Sequence, residues 1–281
     1  RELLAARYGA RLEPVDFVRA TGEARAAINR WAEEETEGRI RDLVPPGALD
    51  AMTRLVLTNA IYFKASWKHR FDEARTAEAP FHLPGGGEVR VPMMVQTDSF
   101  PYHRGAGYAA VELPYAGGAT SMLVVVPDRA EPEAGGFGAF ERSFGADALE
   151  ALVADLETVR VELALPRFEI TSTAALGDAL RRLGMGRAFG DEADFSGMVD
   201  VEKESVIARD LRLDEVLHKA WVRVDEAGTE AAAATAAMMA VTSMPIDEPV
   251  RLIVDRPFLF FVRHRPTGAI LFAGRVLDPS A

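Results

Sequence analysis

The sequence predicts an α+β fold built on large, mostly antiparallel sheets, and three observations carry that reading. Strand-like stretches outnumber helical ones and reverse at glycine-marked turns, Pro84-Gly85-Gly86-Gly87, Ala116-Gly117-Gly118 and Pro266-Thr267-Gly268. Helices are grouped before and between the strands instead of alternating with them, which argues against βαβ units. Finally, a strand over residues 216–224, with Val222 and Val224 on one face and Arg223 and Asp225 on the other, ends at a glycine, and the next clear strand begins only at Val250. A connection that long within a domain is uncommon and usually functional or disordered.

In chain order, residues 1–8 read as a short amphipathic helix closed by Gly9, and residues 11–17 alternate as a strand. Thr21 can cap a longer helix that places Ala24, Ile28, Trp31 and Ala32 on one face, with Glu33, Glu34 and Glu35 outward and Gly38 beyond its end. Pro45-Pro46 breaks the chain. Residues 54–64 are apolar on both faces, the pattern of a strand covered on both sides, which makes mid-strand Asn59 a buried polar group in need of a partner. Residues 81–127 read as an antiparallel meander. A helix over 147–157 presents Leu149, Leu152, Val153 and Leu156. Residues 158–165 alternate strictly, Pro166 punctuates them, and Phe168 and Ile170 continue the alternation. A helix over 174–183 is capped by Thr171 or Ser172 and stopped by Gly184. A hairpin over 250–277 closes the chain. With neither linker nor internal repeat, residues 1–281 are taken as one domain.

Composition bounds the function. The chain has 281 residues, 48% hydrophobic and 27% charged, with a formal charge of −11 and a pI near 5.1. That acidity disfavours nucleic acid or an anionic membrane as main partner, and no apolar run reaches the roughly 18 residues that span a bilayer. The absence of cysteine removes disulfides, thiol nucleophiles and thiolate metal sites, and leaves the compartment open between extracellular or cell-envelope and cytoplasmic. The first residues, Arg1 to Tyr8, read as the middle of a helix, so the chain is expected to begin part-way into a larger protein. The five histidines are far apart and none has a metal-ligand spacing. No nucleophile elbow, phosphate loop or dinucleotide fingerprint is present, so neither a catalytic residue, a metal nor a cofactor is assigned.

The motifs Asn59-Ala60-Ile61-Tyr62-Phe63-Lys64 with Trp67, Val91-Pro92-Met93-Met94, Glu112-Leu113-Pro114-Tyr115, Leu165-Pro166-Arg167-Phe168, Ala193-Asp194-Phe195-Ser196-Gly197, His218-Lys219-Ala220, residues 226–235 (EAGTEAAAAT), residues 255–260 (DRPFLF) and residues 274–279 (GRVLDP) together resemble the serpins, in that family's own order. The resemblance runs the length of the chain. The family's first helices and strands have no counterpart here. It implies three mostly antiparallel β-sheets with surrounding helices, and an exposed reactive loop at about residues 226–249. In inhibitory serpins a serine or cysteine protease cleaves this loop, is trapped as an acyl-enzyme, and is carried across the molecule as the loop inserts into the central sheet. The hinge would be Glu226, Gly228, Thr229, Glu230, Ala231, Ala232, Ala233 and Ala234. The reactive bond would be Thr242-Ser243, suited to an elastase-like or subtilisin-like protease. Asn59 and His218 match the pair where the strands part, while Trp67, Arg167 and Glu226 match the top of the sheet, with an Arg167–Glu226 ion pair expected.

The loop's own residues bear on this reading. Along an inserting strand Thr229, Ala231, Ala233, Thr235 and Ala237 share one face, all small, while Glu230 lies on the other. Insertion then neither meets a steric stop nor buries a charge. On composition alone an alanine-rich tract is equally a helix or a solvated linker; the flanking motifs favour the loop. The expected protein is thus a monomeric inhibitor of serine proteases, with a non-inhibitory binding or chaperone module of the same fold as the alternative.

Overall fold

Residues 6–7, 11–128, 136–198, 211–229 and 248–281 are described by a computed structural model, and the chain divides into two units, Arg1–Tyr62 with Thr171–Trp221 and Phe63–Ile170 with Val222–Ala281.

In the first unit, helix α1 (Thr21–Glu35) buries Ala24, Asn29 and Ala32. Thr21 is not its cap. Ala20 holds that position, the Thr21 hydroxyl donates to Phe17 O, and Asp16 Oδ1 accepts from Val18 and Arg19 N–H. That local turn also displaces the strand expected over residues 11–17, which has no strand hydrogen bonding; Pro14 lacks an N–H and Asp16 captures the backbone donors that follow. At the other end Gly38, at φ +79°, donates to Glu33 O at 2.8 Å and closes the helix as expected. Asn29, invisible as a special residue in the sequence, clasps Val44 through both amide atoms, Nδ2 to the carbonyl at 3.1 Å and Oδ1 from the N–H at 2.8 Å.

Strand β1 (Leu55–Tyr62) runs parallel to a later strand over residues 213–224, register Asn59↔His218 and Tyr62↔Trp221. Val56, Ala60 and Tyr62 pack with Ile28 and Trp31 around Ile40, Leu43, Leu217 and Trp221. The opposite face is not covered as expected: Leu57 is 49% exposed and Asn59 is exposed. Among the described residues the second layer that a two-sided apolar strand calls for is not supplied, so Asn59 is a surface group and not a buried one. The helix expected over 174–183 is also revised. Thr171 and Ser172 lie inside a strand over residues 168–175, only Gly177–Leu180 is α-helical, and Gly184 at φ +101° ends the turn that follows.

The second unit follows the expected meander. In chain order its strands are β2 (Ala65–Ser66), β3 (Ala77–His82), β4 (Glu88–Gly105), β5 (Tyr108–Pro114) and β6 (Thr120–Pro127), then β7 (Glu157–Pro166) and the start of β8 (Phe168–Ala175). After β9 (Leu213–Val224) come β10 (Gly228–Thr229), β11 (Val250–Ile253), β12 (Phe258–His264) and β13 (Ile270–Val276). The larger sheet has the order β11-β7-β4-β5-β6-β12-β13 with β3 on β4. β4 is 18 residues long and changes partners along its length, from β3 to β7 to β5. β5 and β6 are buried almost throughout, because one face packs in the main core with Phe100, Phe168, Phe258 and Phe260. The other packs under α2 (Gly136–Ser143) and α3 (Ala146–Ala154) through Phe140, Phe144, Leu149 and Val153. Two covered faces explain the unbroken apolar run of residues 122–126. α3 stops at Ala154 and not at residue 157, since Glu157 already pairs with Tyr102. The expected final hairpin is β12-β13, but β11 leaves it to run parallel to β7.

Candidate functional site

A tight turn over residues 225–228 gathers several of the singled-out residues within the second unit. Asp225 Oδ1 accepts from Ala227 N–H at 3.0 Å and Gly228 N–H at 3.3 Å, and Asp225 N–H donates to Gly228 O at 2.9 Å; aspartate is suited to this self-capping role. The turn is tied down from outside as well. Trp67 N–H donates to Ala227 O and Phe71 N–H to Glu226 O, both at 3.0 Å, while the Trp67 indole Nε1 donates to Asp225 O at 2.9 Å. Gly228 and Thr229 then pair antiparallel with Ser66 and Ala65 of β2, and Thr229 pairs with Val224 at the end of β9.

Glu226, 4% exposed, receives Arg167 Nε on both oxygens at 2.8 Å and Nη2 on Oε1 at 2.6 Å. The expected Arg167–Glu226 pair is therefore present and bidentate, a geometry lysine could not reproduce. The Thr76 hydroxyl also donates to Glu226 Oε1, at 2.5 Å. Burial pushes the carboxyl pKa up, but the hydrogen bonds from Arg167 and Thr76 outweigh it and hold the value below the ordinary 4.5. With the folded pKa depressed, the pair's contribution is fully present above the unfolded value and is lost as pH falls through the folded one. Arg167→Ala should cost about 2 kcal/mol, restrained because Arg167 is 42% exposed and water screens part of its charge. Arg167→Lys should recover part of that, and the gap between Arg167→Ala and the parent chain in urea denaturation should narrow in acid. A gap that persists below the ordinary glutamate range would contradict the assignment.

Tyr115 and Thr76 are the residues that sequence reasoning missed. Tyr115 lies in the quoted motif of residues 112–115, which signals its family position but not its partner; Thr76 carries no signal. The Tyr115 ring stacks on Trp67 at 4.5 Å and 8°, and its hydroxyl shares a 2.6 Å hydrogen bond with the Thr229 hydroxyl, both buried.

In the first unit, Asn59 and His218 are register partners, and His218 Nδ1 lies 2.8 Å from Asn59 Oδ1. Burial pushes the His218 pKa down, so the ring is neutral near pH 7 and its Nδ1–H donates to the amide oxygen. The partner question raised for Asn59 is thus answered at the surface of the unit and not in its core. Glu230, Ala231, Ala232, Ala233, Ala234, Thr242 and Ser243 lie outside the described residues. Among the described residues, no group of three or more His, Asp or Glu side chains is placed to hold a metal ion. The contacts hold the 225–228 turn and Thr229 against β2 and the end of β9.

A family model described as "Serpin (serine protease inhibitor)" matches residues 1–279. The leukocyte elastase inhibitor of Sus scrofa is 42% identical over 276 residues, which are 97% of this chain and 71% of that protein. Among solved structures, Serpin48 of the insect Tenebrio molitor is 34% identical with a TM-score of 0.82, over 99% of this chain and 70% of its own. Thyroxine-binding globulin in complex with thyroxine is 27% identical, also with a TM-score of 0.82 and the same coverages.

Proposed function

The chain belongs to the serpin family, and from that premise we propose that it inhibits a serine protease of elastase-like or subtilisin-like specificity as a suicide substrate. The protease's serine oxygen attacks the carbonyl carbon of Thr242, its hydroxyl proton passes through the protease's own base to the amide nitrogen, the Thr242-Ser243 bond breaks, and Ser243 departs with a free α-amino group. Thr242 is left esterified to the protease. Insertion of residues 230–241 as a strand then carries the ester away before water reaches it. The elastase inhibitor relative supports the target class, and so does a threonine preceded by Val241, which fits a modest apolar pocket and offers nothing to a trypsin-like one.

The observation that carries the reading is the docking of Gly228 and Thr229 as strand β10, with the next residues on the same alternation small at every core-facing position. About ten new ladder hydrogen bonds, at a net of roughly 0.5–1.5 kcal/mol each, would match a domain's stability, which is ample to drive the step. Residues 1–281 are read as one serpin domain acting as a monomer, without a catalytic residue of its own.

The fold's use in thyroxine-binding globulin keeps a second reading, a non-inhibitory binding protein. Incubation with pancreatic elastase and with subtilisin, followed by a denaturing gel, separates the two. An adduct of summed mass supports trapping, whereas clean loop cleavage alone selects the second reading. Within the first, Ala231→Arg would bury a guanidinium on the core face and should convert the inhibitor into a substrate, raising the number of molecules consumed per protease inactivated about tenfold or more; an unchanged ratio contradicts insertion.

A further inference from the structure

The Tyr115–Thr229 hydroxyl pair is a contact that the resemblance did not anticipate. Thr229 and Tyr115 are both fully buried. The Tyr115 ring is fixed on one side by Trp67, stacked at 4.5 Å, and on another by Phe63, edge-on at 5.0 Å and 67°. Its backbone is fixed as well, because Tyr115 N–H donates to Thr120 O, and Lys68 and Ala116 tie the two segments together through Pro114 O and Ser66 O. Tyr115 is therefore a rigid post. Thr229, by contrast, is the second residue of β10. Its side-chain hydroxyl has Tyr115 as partner, and a buried hydroxyl without a partner is costly.

We propose that Tyr115 is a positioning residue for the reactive loop: its buried hydroxyl holds Thr229 in the sheet, so that insertion after cleavage starts at Glu230 with Gly228 and Thr229 already paired. The proposal rests on the inhibitory reading for its consequence. Insertion competes with hydrolysis of the acyl-enzyme, and a strand whose first residues are in register needs no renewed nucleation before it can propagate. Releasing Thr229 restores that delay and diverts acyl-enzyme to hydrolysis. Because the ring packs through its faces and edges, removing the hydroxyl alone leaves the apolar contacts in place.

The test uses the full chain carrying Tyr115→Phe, Thr229→Val and the two together, with two readouts. Amide hydrogen exchange across residues 224–229 reports docking, and the number of inhibitor molecules consumed per pancreatic elastase inactivated reports insertion. Tyr115→Phe strands the Thr229 hydroxyl and should speed exchange roughly tenfold, the equivalent of about 1.4 kcal/mol, and should raise the consumption ratio several-fold. In the double variant both partners are apolar, so exchange and ratio should return toward the parent values, a rescue that simple core damage would not give. If elastase is trapped normally and Tyr115→Phe moves neither readout, the positioning role is overturned while the inhibitory reading stands. If the parent chain traps neither elastase nor subtilisin while exchange responds as described, the inhibitory reading fails and the hydroxyl pair stands as an anchor of the segment.

Discussion

Gly228→Ala is expected to reduce the proposed trapping at least tenfold while leaving the chain folded. A β-carbon at this position would lie 2.2 Å from Ala65 O, 2.7 Å from Ser66 Cα and 2.9 Å from Trp67 N. All three are backbone atoms, so no side-chain rotation relieves the overlap. The φ of +152° is a further cost for a residue with a side chain, of order 1–3 kcal/mol. The cheapest escape is for Gly228 and Thr229 to leave β2, which undoes the Thr229 pairing and frees the start of the loop. The loop should then be cut as an ordinary substrate, with adduct yield on denaturing gels down at least tenfold. Melting should change little, because Gly228 and Thr229 supply few of the strand pairings of the second unit among the described residues. Gly22→Ala, in the first turn of α1 with no atom within 4 Å of the added carbon, is the matched control and should trap normally, since alanine is the better helix residue. Trapping by Gly228→Ala at the parent level would refute the claim that close approach to β2 anchors the loop.

The second large effect is on stability. Glu112 on β5, 2% exposed, and Arg263 on β12, 8% exposed, meet over the intervening strand β6. Arg263 Nη1 donates to Glu112 Oε1 at 2.6 Å, and the Ser121 hydroxyl donates to the same oxygen at 2.7 Å. Arg265 Nε approaches Oε2 at 3.6 Å from a position where its side chain is 43% exposed, so it cannot replace Arg263 in the interior. Arg263→Met leaves a buried carboxylate with one neutral donor and a distant cation. Removing one partner of such a pair costs about 3–5 kcal/mol, which for a chain of this size lowers Tm by roughly 10 °C. Glu112→Leu combined with Arg263→Met should recover most of the loss, because the desolvation penalty disappears with both charges. Equal Tm values for the parent chain and Arg263→Met would show that the pair contributes nothing net.

Both effects bear on what the chain reveals before it folds. Regularities between neighbours were legible: the alternation of residues 158–165, the meander over residues 81–127, the helix face of Leu149, Leu152 and Val153 and the glycine at the end of α1. Chemistry local to a few residues sets each of these. Where local signals misled, another part of the chain, or a local hydrogen bond, had taken over the groups concerned. Asp16 captured backbone donors and cancelled a strand, Thr171 and Ser172 were drawn into β8 instead of capping a helix, and Asn59 lies exposed where its flanking residues suggested burial.

The site divides in the same way. The family order of motifs pointed to Trp67, Arg167, Glu226, Gly228, Asn59 and His218. What the sequence by itself determined, then, is the fold class, most of the strands of the second unit and the glycines at which they turn. Only the tertiary structure decided that Thr76 meets Glu226 across 150 residues and that Tyr115 meets Thr229 across 114. It also decided that β11 lies parallel to β7. The physical reason is that propensity and alternation depend on bonded neighbours, whereas a buried hydroxyl or carboxylate is stabilised by whichever distant group the packed sheets bring within 3 Å, and nothing in the local sequence encodes that partner.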